Sequence, residues 1–126
     1  MFADRQVFAS FSVDDIDAAR AFYDNTLGLI VTHNEMGFLE LHPSGGGRVL
    51  IYPKDSHQPA TFTVLNIVVG DVEAAVDGLV AAGVTFERYE GFSQDERGIA
   101  RDGGGGGAIA WFKDPAGNVL AVLSEG

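Results

Sequence analysis

The side chains best suited to acid–base or metal chemistry lie close together in one short stretch. Two histidines and two glutamates fall within residues 33–42, which we predict to form a hairpin. Glu40 and His42 are two positions apart on one strand, so they share a face of the sheet. Such groups can ligate a transition metal or act as a general base. We interpret them as solvated side chains of an edge strand, with a metal site as the alternative. The four residues are His33, Glu35, Glu40 and His42.

The charge and composition of the chain limit the kinds of molecule that the protein can bind. The chain has 126 residues, of which 18 are acidic and 8 are Lys or Arg, and its formal net charge is −10. Binding to nucleic acid requires clustered basic side chains, so we expect no nucleic-acid partner. The negative charge would instead favour the approach of a cationic ligand.

The cysteine content and the hydropathy of the chain indicate the cellular compartment in which we expect the protein. The chain has no cysteine, which excludes disulfides and thiol chemistry. No apolar run approaches the roughly 18 residues of a membrane span, so we expect no membrane partner. The stretch Met1–Arg5 lacks the charged-then-apolar layout of a secretory signal. We therefore expect a cytoplasmic protein.

The first half of the chain predicts one strand, one helix and three further strands. Apolar residues alternate over 6–13, and the Asp14–Asp15 pair can cap a helix that runs from Ile16 to about Asn25. Gly28 is a plausible left-handed stop after this helix. We assign residues 1–53 to a first βαβββ module and residues 54–60 to a polar, proline-containing linker. The three further strands are predicted at 29–33, 38–42 and 48–52.

The second half repeats this pattern. The letters of Val13–Ile16 are similar to those of Val69–Val72, where Asp71 can cap a second helix that stops at Gly83. A repeated unit that cannot bury its own sheet face implies that two copies complete one core. The second βαβββ module is therefore residues 61–126. Its strands are predicted at 61–69, 84–88, 108–113 and 119–123, and residues 89–107 are predicted to be mostly loop.

A tight turn joins the last two predicted strands. In the run Asp114–Asn118, Pro115 presets φ at the first corner, and Gly117 can take the positive φ that reverses the chain. Apolar runs on both sides of such turn residues predict an antiparallel hairpin.

The ordered motifs together resemble the vicinal oxygen chelate superfamily, which includes glyoxalase I, bleomycin-resistance proteins and extradiol dioxygenases. The resemblance implies an α+β fold in which two βαβββ modules form a curled mixed sheet with a cup-shaped cavity, usually in a dimer. We therefore expect a homodimer. The residues that carry it are Val13, Asp15, Ile16, Ala18, Phe22, Tyr23, Leu27–Leu29, Asp71, Val72, Ala82–Val84 and Phe112–Asn118.

The resemblance also implies four strand positions at which metal-using relatives hold a divalent ion, two in each module. On this chain those positions carry Phe8, Ile51, Val64 and Ala121. None of these side chains has the N, O or S lone pair that a transition metal requires. We therefore expect neither a metal nor another cofactor.

The predicted cup faces follow from strand alternation. With Phe8 facing the cup, Ser10 lies beside it, and Asn66 lies beside Val64 in the second module. Ile51 is expected on the same side as Ser10. An apolar concavity with a few hydroxyl and amide groups is typical of a small-molecule site.

The resemblance suggests that the aromatic Trp111 also faces the cup. An indole and a phenyl ring could hold a flat ligand between them. The alternative is that these side chains simply fill the cup as core. The predicted ligand-binding residues are Phe8, Ser10, Phe38, Glu40, Ile51, Val64, Asn66, Ile109, Trp111 and Ala121.

These observations favour a metal-free protein that sequesters a small aromatic or cationic molecule. One alternative is a lyase, isomerase or dioxygenase of the same superfamily with an atypical site, using Glu40 or His42 as a general base. The other is a regulatory or interaction module whose cup is vestigial. The five consecutive glycines Gly103–Gly107, with the preceding Ser93–Arg97 segment, are interpreted as a mobile flap.

Overall fold

A computed structural model describes residues 1–101 and 107–125 of the chain. These residues form two compact units, Met1–Gln58 and Pro59–Gly126. Each unit holds one four-stranded sheet in which one strand pair is parallel and the others are antiparallel. Among the described residues, no helix has the length and apolar character that crossing a membrane requires.

The first unit has the predicted βαβββ order. The elements are β1 (Ala9–Val13), α1 (Ile16–Ala21), β2 (Val31–His33), β3 (Leu39–Leu41) and β4 (Val49–Pro53). The sheet order is β1-β4-β3-β2, so β1 lies at an edge of the sheet and pairs in parallel with β4, which lies inside it. The helix α1 continues as a π-helical turn over Phe22–Thr26.

Local sequence explains where α1 begins and where its extension ends. The Asp15 carboxylate accepts hydrogen bonds from the backbone N–H groups of Asp17 and Ala18, both at 3.1 Å, as an N-cap does. Gly28 follows with φ of +69°, the left-handed conformation that glycine adopts at little cost. Both predicted helix signals are confirmed.

The core of the first unit lies between the sheet and α1. Tyr23 is fully buried, and its ring centroid lies 6.0 Å from that of Phe11 on β1. Leu39 and Ile51, on the neighbouring strands, are also fully buried. Burial of such side chains contributes about 1.5–3 kcal/mol each to the free energy of unfolding.

The elements of the second unit are β5 (Thr63–Val68), α2 (Val72–Ala81), β6 (Ala100–Arg101), β7 (Ala108–Lys113) and β8 (Val119–Ser124). The sheet order is β5-β8-β7-β6. Asp71 caps α2 by accepting a hydrogen bond from the Ala74 N–H at 3.1 Å, and Gly83 follows the helix with φ of +95°. The buried side of α2 presents Val72 and Val76.

The prediction of a strand over 84–88 was wrong, whereas the described part of 89–107 is mostly loop, as predicted, with a two-residue strand at Ala100–Arg101. Phe86 makes only an isolated antiparallel bridge to Phe112, beside a hydrogen bond from the Glu87 N–H to the Trp111 carbonyl at 2.8 Å. The other end of β7 pairs instead with β6. Two separate segments, at Phe86 and at Ala100–Arg101, therefore pair with the same edge of β7. The apolar pattern of either segment alone does not predict that the other one pairs with the same strand.

The two βαβββ units confirm the predicted α+β fold class, as two open four-stranded sheets. Gly103–Gly106, most of the predicted glycine flap, lie outside the described residues. The other part of that prediction, Ser93–Arg97, is tied to the second helix, because the Arg97 guanidinium bonds the Glu73 carboxylate at 3.0 Å and also the Asp77 carboxylate.

Candidate functional site

Strand register decides which side chains of the first unit face α1. Phe11 pairs with Ile51, and Ile51 pairs with Leu39, so these three side chains point to the same, buried side. The prediction that Ile51 shares a face with Ser10 was therefore wrong. Ser10 pairs with Leu50 instead.

The opposite side of this sheet, here called the Ser10 face, is half-exposed. Ser10, Leu50 and Glu40 follow one another across it in register. Phe38 lies two residues before Glu40, and its ring is tilted against that of Tyr52, with ring centroids 6.3 Å apart. Three of the predicted ligand-binding residues, Ser10, Phe38 and Glu40, thus share a face.

Both histidines near the Ser10 face are hydrogen-bonded to hydroxyl groups. His42 Nε2 lies 2.7 Å from Thr32 Oγ1, and His57 Nδ1 lies 2.7 Å from Ser12 Oγ. His57 is half-buried, and this hydrogen bond joins the predicted linker to β1. The imidazole groups of His42 and His57 are therefore not free bases on this face.

The predicted cluster of two histidines and two glutamates does not come together. His33 pairs with Leu39, whose side chain faces α1, whereas Glu40 lies on the Ser10 face. Strand alternation therefore separates His33 from Glu40 and His42. Across residues 1–101 and 107–125, no group of three or more His, Cys, Asp or Glu side chains is arranged to hold a metal ion.

Phe8 lies just before β1 and is 44% exposed. The Arg48 guanidinium carbon sits 4.0 Å from the centroid of its ring, in a cation–π contact. With Gln6, Glu40 and His42, these two residues line a shallow groove of about 250 Å³.

The second unit gathers four predicted site residues on one side of its sheet. Ala121 pairs with Trp111 on one neighbouring strand and with Asn66 on the other, so the three side chains share a face. Ile109 lies on the same side, two residues before Trp111. We call this surface the Trp111 face.

Val64 differs from the other predicted residues of this unit. It lies between Thr63, which pairs with Val119, and Leu65, which pairs with Leu120. The register shifts here, as in a β-bulge, so Val64 has no partner across the ladder. Val64 therefore lies outside the regular alternation that places Asn66 on the Trp111 face.

Two aromatic residues that sequence reasoning missed cover the Trp111 face. The ring centroids of Tyr89 and Phe92 lie 5.5 Å and 4.9 Å from that of Trp111. Trp111 is only 8% exposed as a result, and Ala121 is fully buried. The available signal was the presence of two aromatic residues in an otherwise polar loop.

The Gln94 side chain holds the loop that carries Tyr89. Its Nε2 donates to the carbonyls of Glu87 and Gly98, at 3.0 and 2.7 Å, and its Oε1 accepts from the Tyr89 N–H at 2.7 Å. All three hydrogen bonds go to backbone groups. One amide therefore fixes the backbone of Tyr89 relative to the strand-like segment that precedes it.

The Tyr89 hydroxyl is buried and has no hydrogen-bond partner among the residues that the structure describes. Burial, with a smaller contribution from the Glu87 carboxylate, raises the pKa of Tyr89 above its usual value. A tyrosine phenol is protonated at neutral pH even at its usual pKa of about 10, so this hydroxyl can donate a hydrogen bond.

A separate cavity of about 520 Å³ lies beside α2, lined by Val76, Val80 and Phe86 together with Arg88 and Arg97. Arg97 is paired with Glu73 and Asp77. Arg88 bonds the carbonyls of Gln94 and Glu96 at 3.3 and 3.5 Å. These guanidinium groups act within the fold, so the Trp111 face remains the better candidate site.

Comparison with known proteins decides the family. The model of the Glyoxalase/Bleomycin resistance protein/Dioxygenase superfamily matches residues 5–122. The chain belongs to this superfamily. None of the curated proteins compared with it matches.

Solved structures of the glyoxalase superfamily share the fold. A member from Sphaerobacter thermophilus DSM 20745 is 24% identical with a TM-score of 0.71, and the alignment covers 99% of this chain and 100% of that one. TnmS3, an antibiotic binding protein from Streptomyces sp. CB03234, is 22% identical with a TM-score of 0.69, covering 100% and 99%. A putative glyoxalase family protein from Bacillus anthracis is 16% identical with a TM-score of 0.70, covering 100% of both chains.

Proposed function

We propose that this protein binds a small aromatic compound, neutral or cationic, on the Trp111 face, and that it does so without a resident metal. The observation that carries the proposal is the aromatic group itself: Trp111 with two further rings within 5.5 Å of its centroid, on a face that also holds the Asn66 amide. Aromatic side chains beside a few polar groups are typical of small-molecule sites.

Structural relatives support a binding role. TnmS3 is described as an antibiotic binding protein, and a second Streptomyces relative as a glyoxalase/bleomycin resistance protein. The net charge of −10 on this chain would favour a cationic compound over an anionic one. We further expect a homodimer in the cytoplasm.

The side chains at the expected metal positions do not fit a divalent ion. Phe8, Val64 and Ala121 offer only hydrocarbon there, and Ile51 is buried against α1. If the expected metal position on β4 is assigned to Leu50 or Tyr52, which lie on the Ser10 face, instead of to Ile51, the four positions still do not form a set of metal ligands. This chemistry supports a binding protein over a metal-dependent lyase or dioxygenase.

Ligand titrations test the proposal. The probes are proflavine, a planar aromatic cation, and 9-fluorenone, a planar neutral ketone. We expect saturable binding to the unmodified protein and a loss of about tenfold or more in affinity in Trp111→Ala, since ~1.4 kcal/mol corresponds to tenfold. Phe2→Ala is the matched control, because Phe2 is an exposed aromatic residue of the other unit.

Three results would overturn the proposal. The first is binding that is equally tight in Trp111→Ala and in the unmodified protein. The second is stoichiometric Zn, Ni, Mn or Fe in purified protein together with metal-dependent turnover, which would favour the enzyme alternative. The third is binding of neither probe nor metal, which would favour a regulatory module.

A further inference from the structure

The Tyr89 hydroxyl is a buried hydrogen-bond donor without an acceptor among the described residues. Leaving a buried polar group unpaired is unfavourable by about 1–3 kcal/mol, and such groups are rare in folded proteins. The rings of Tyr89 and Trp111 pack in an edge-to-face arrangement, with centroids 5.5 Å apart and an interplanar angle of 75°. An unused donor thus lies within the aromatic group that we propose as the ligand site.

Phe92 contacts the same indole in a different way. Its ring centroid is closer to that of Trp111, at 4.9 Å, yet the residue is 56% exposed. A phenylalanine that is mostly in solvent gains little from burial, so it can leave the indole at small cost.

The backbone around Phe92 is suited to such a movement. Tyr89 and Gln94 are held together by the hydrogen bond from the Tyr89 N–H to the Gln94 Oε1. All four residues between them, 90–93, are exposed. The short loop can therefore change conformation while its two ends stay in place.

We propose that Phe92 occupies the position of a ligand's aromatic ring on Trp111, and that the ligand which displaces it carries an oxygen acceptor for the Tyr89 hydroxyl. The ligand class is then a planar aromatic carbonyl compound. This inference rests on the proposed function and deepens it, because it specifies the polar group that the compound must carry.

The surroundings of the donor favour a neutral acceptor, such as a carbonyl oxygen, over an anionic one. The Tyr89 phenol is protonated at neutral pH, because even the usual pKa of tyrosine, about 10, lies well above 7, so the buried hydroxyl is a donor that needs an acceptor. A neutral carbonyl oxygen can accept this hydrogen bond without bringing a further negative charge near the Glu87 carboxylate, which already acts on Tyr89.

A matched pair of probes tests the acceptor. 9-Fluorenone and fluorene are both planar and differ by one carbonyl oxygen. Binding is followed by the indole N–H resonance in ¹H–¹⁵N NMR, which is a single signal because Trp111 is the one tryptophan in the chain. We expect fluorenone to bind about fivefold more tightly than fluorene, and Tyr89→Phe to remove this preference while leaving fluorene affinity unchanged.

Phe92→Ala tests displacement. If Phe92 competes with the ligand, this variant binds both compounds more tightly, by several-fold. Weaker binding of both compounds in Phe92→Ala would show that Phe92 contacts the bound ligand, and would contradict the proposal that the ligand displaces Phe92 from Trp111. A fluorenone preference that persists in Tyr89→Phe would overturn the role of the hydroxyl.

A ligand-free measurement adds an independent test. Since the hydroxyl has no described partner, Tyr89→Phe should leave the Tm unchanged or raise it, whereas a clear fall in Tm would show that the hydroxyl is already bonded and would overturn the inference. If both compounds bind regardless of Tyr89 and Phe92, the inference fails and the proposed function stands. If proflavine, fluorenone and fluorene all leave the indole signal unchanged, in Phe92→Ala as well, both fail.

Discussion

Asn118 donates two hydrogen bonds to one carboxylate, that of Asp114. Its backbone N–H lies 2.8 Å from Asp114 Oδ1, and its Nδ2 lies 3.1 Å from Asp114 Oδ2. Both residues are almost fully buried, at 2% and 4% exposure. The Asn118 Oδ1 in turn accepts a hydrogen bond from the Ala60 N–H at 3.2 Å. The most recognisable motif of the sequence is therefore a structural clamp, which ties the start of the second unit to its last hairpin.

Removing the carboxylate should destabilise this clamp. In Asp114→Ala, the buried N–H groups of Ala116 and Asn118 lose their acceptor, and we expect the free energy of unfolding to fall by about 3 kcal/mol. Urea denaturation measures the change. Asp55→Ala, at an exposed turn of the first unit, is the control and should change it by less than about 0.5 kcal/mol. Similar effects of the two substitutions would contradict the structural role.

Gly117 is the second test of this turn. Its φ is +86°, and an added Cβ would lie 3.0 Å from the Pro59 Cγ. Gly117→Ala should therefore destabilise the protein by at least ~1–2 kcal/mol, the penalty of the left-handed conformation, with a further term from the contact. When Pro59→Ala is also present, Gly117→Ala should destabilise the protein less, because the contact with the Pro59 ring is removed while the penalty of the left-handed conformation remains.

Gly45→Ala is the matched control for Gly117→Ala. A Cβ at Gly45 would meet nothing within 4 Å, and its φ is not in the left-handed region. Its midpoint in urea should stay close to that of the unmodified protein. An equal loss in both variants would argue against conformational strain at Gly117.

The assignment of faces in the first unit can be tested by truncating adjacent residues. Ile51 is fully buried on the α1 side, so Ile51→Ala should lower the free energy of unfolding by about 2–5 kcal/mol. Leu50, its neighbour on the half-exposed Ser10 face, should be less costly to truncate. Should Leu50→Ala be the more damaging of the two, the register of β1 and β4 would be wrong.

The lowered pKa of the Asp95 carboxyl group should make the stability of the protein depend on pH. The backbone N–H of Ile99 donates to its carboxylate at 3.0 Å, and this bond, with further ones from Arg101 and the Arg97 N–H, lowers the pKa of Asp95. Because the pKa is lower in the folded state, the stabilisation is present above the unfolded-state pKa. It is lost as pH falls through the folded-state pKa.

The measurement compares the unmodified protein with Asp95→Asn in urea, at pH 7 and at progressively lower pH. The difference in unfolding free energy should be largest near neutrality and should shrink below about pH 4, as the carboxylate takes up its proton. A difference that is constant across this range would show that the charge of Asp95 does not contribute.

Local features of the fold could be predicted from the sequence because they depend on neighbouring residues. Asp15 and Asp71 cap their helices, and Gly28 and Gly83 follow them in the left-handed conformation, as predicted. The repeat of the first half in the second predicted the two βαβββ units for a similar reason: each copy carries its own capping and turn signals.

Long-range pairing limited the prediction of the candidate site. Ile51 was assigned to the wrong face because a shift of one residue in register moves a side chain to the opposite side of the sheet. The segment 84–88 was predicted as a strand, but it shares the edge of β7 with Ala100–Arg101. In contrast, the shared face of Asn66, Trp111 and Ala121 was predicted correctly.

The sequence by itself determined the family, the helix boundaries, the Asp114–Asn118 turn and the absence of lone-pair donors at Phe8, Val64 and Ala121, since these depend on residue identity and short-range geometry. Only the tertiary structure placed Tyr89 and Phe92 against Trp111 and left the Tyr89 hydroxyl without a described partner. The physical reason is that contacts between a loop and a distant strand depend on packing, which no local pattern of residues encodes.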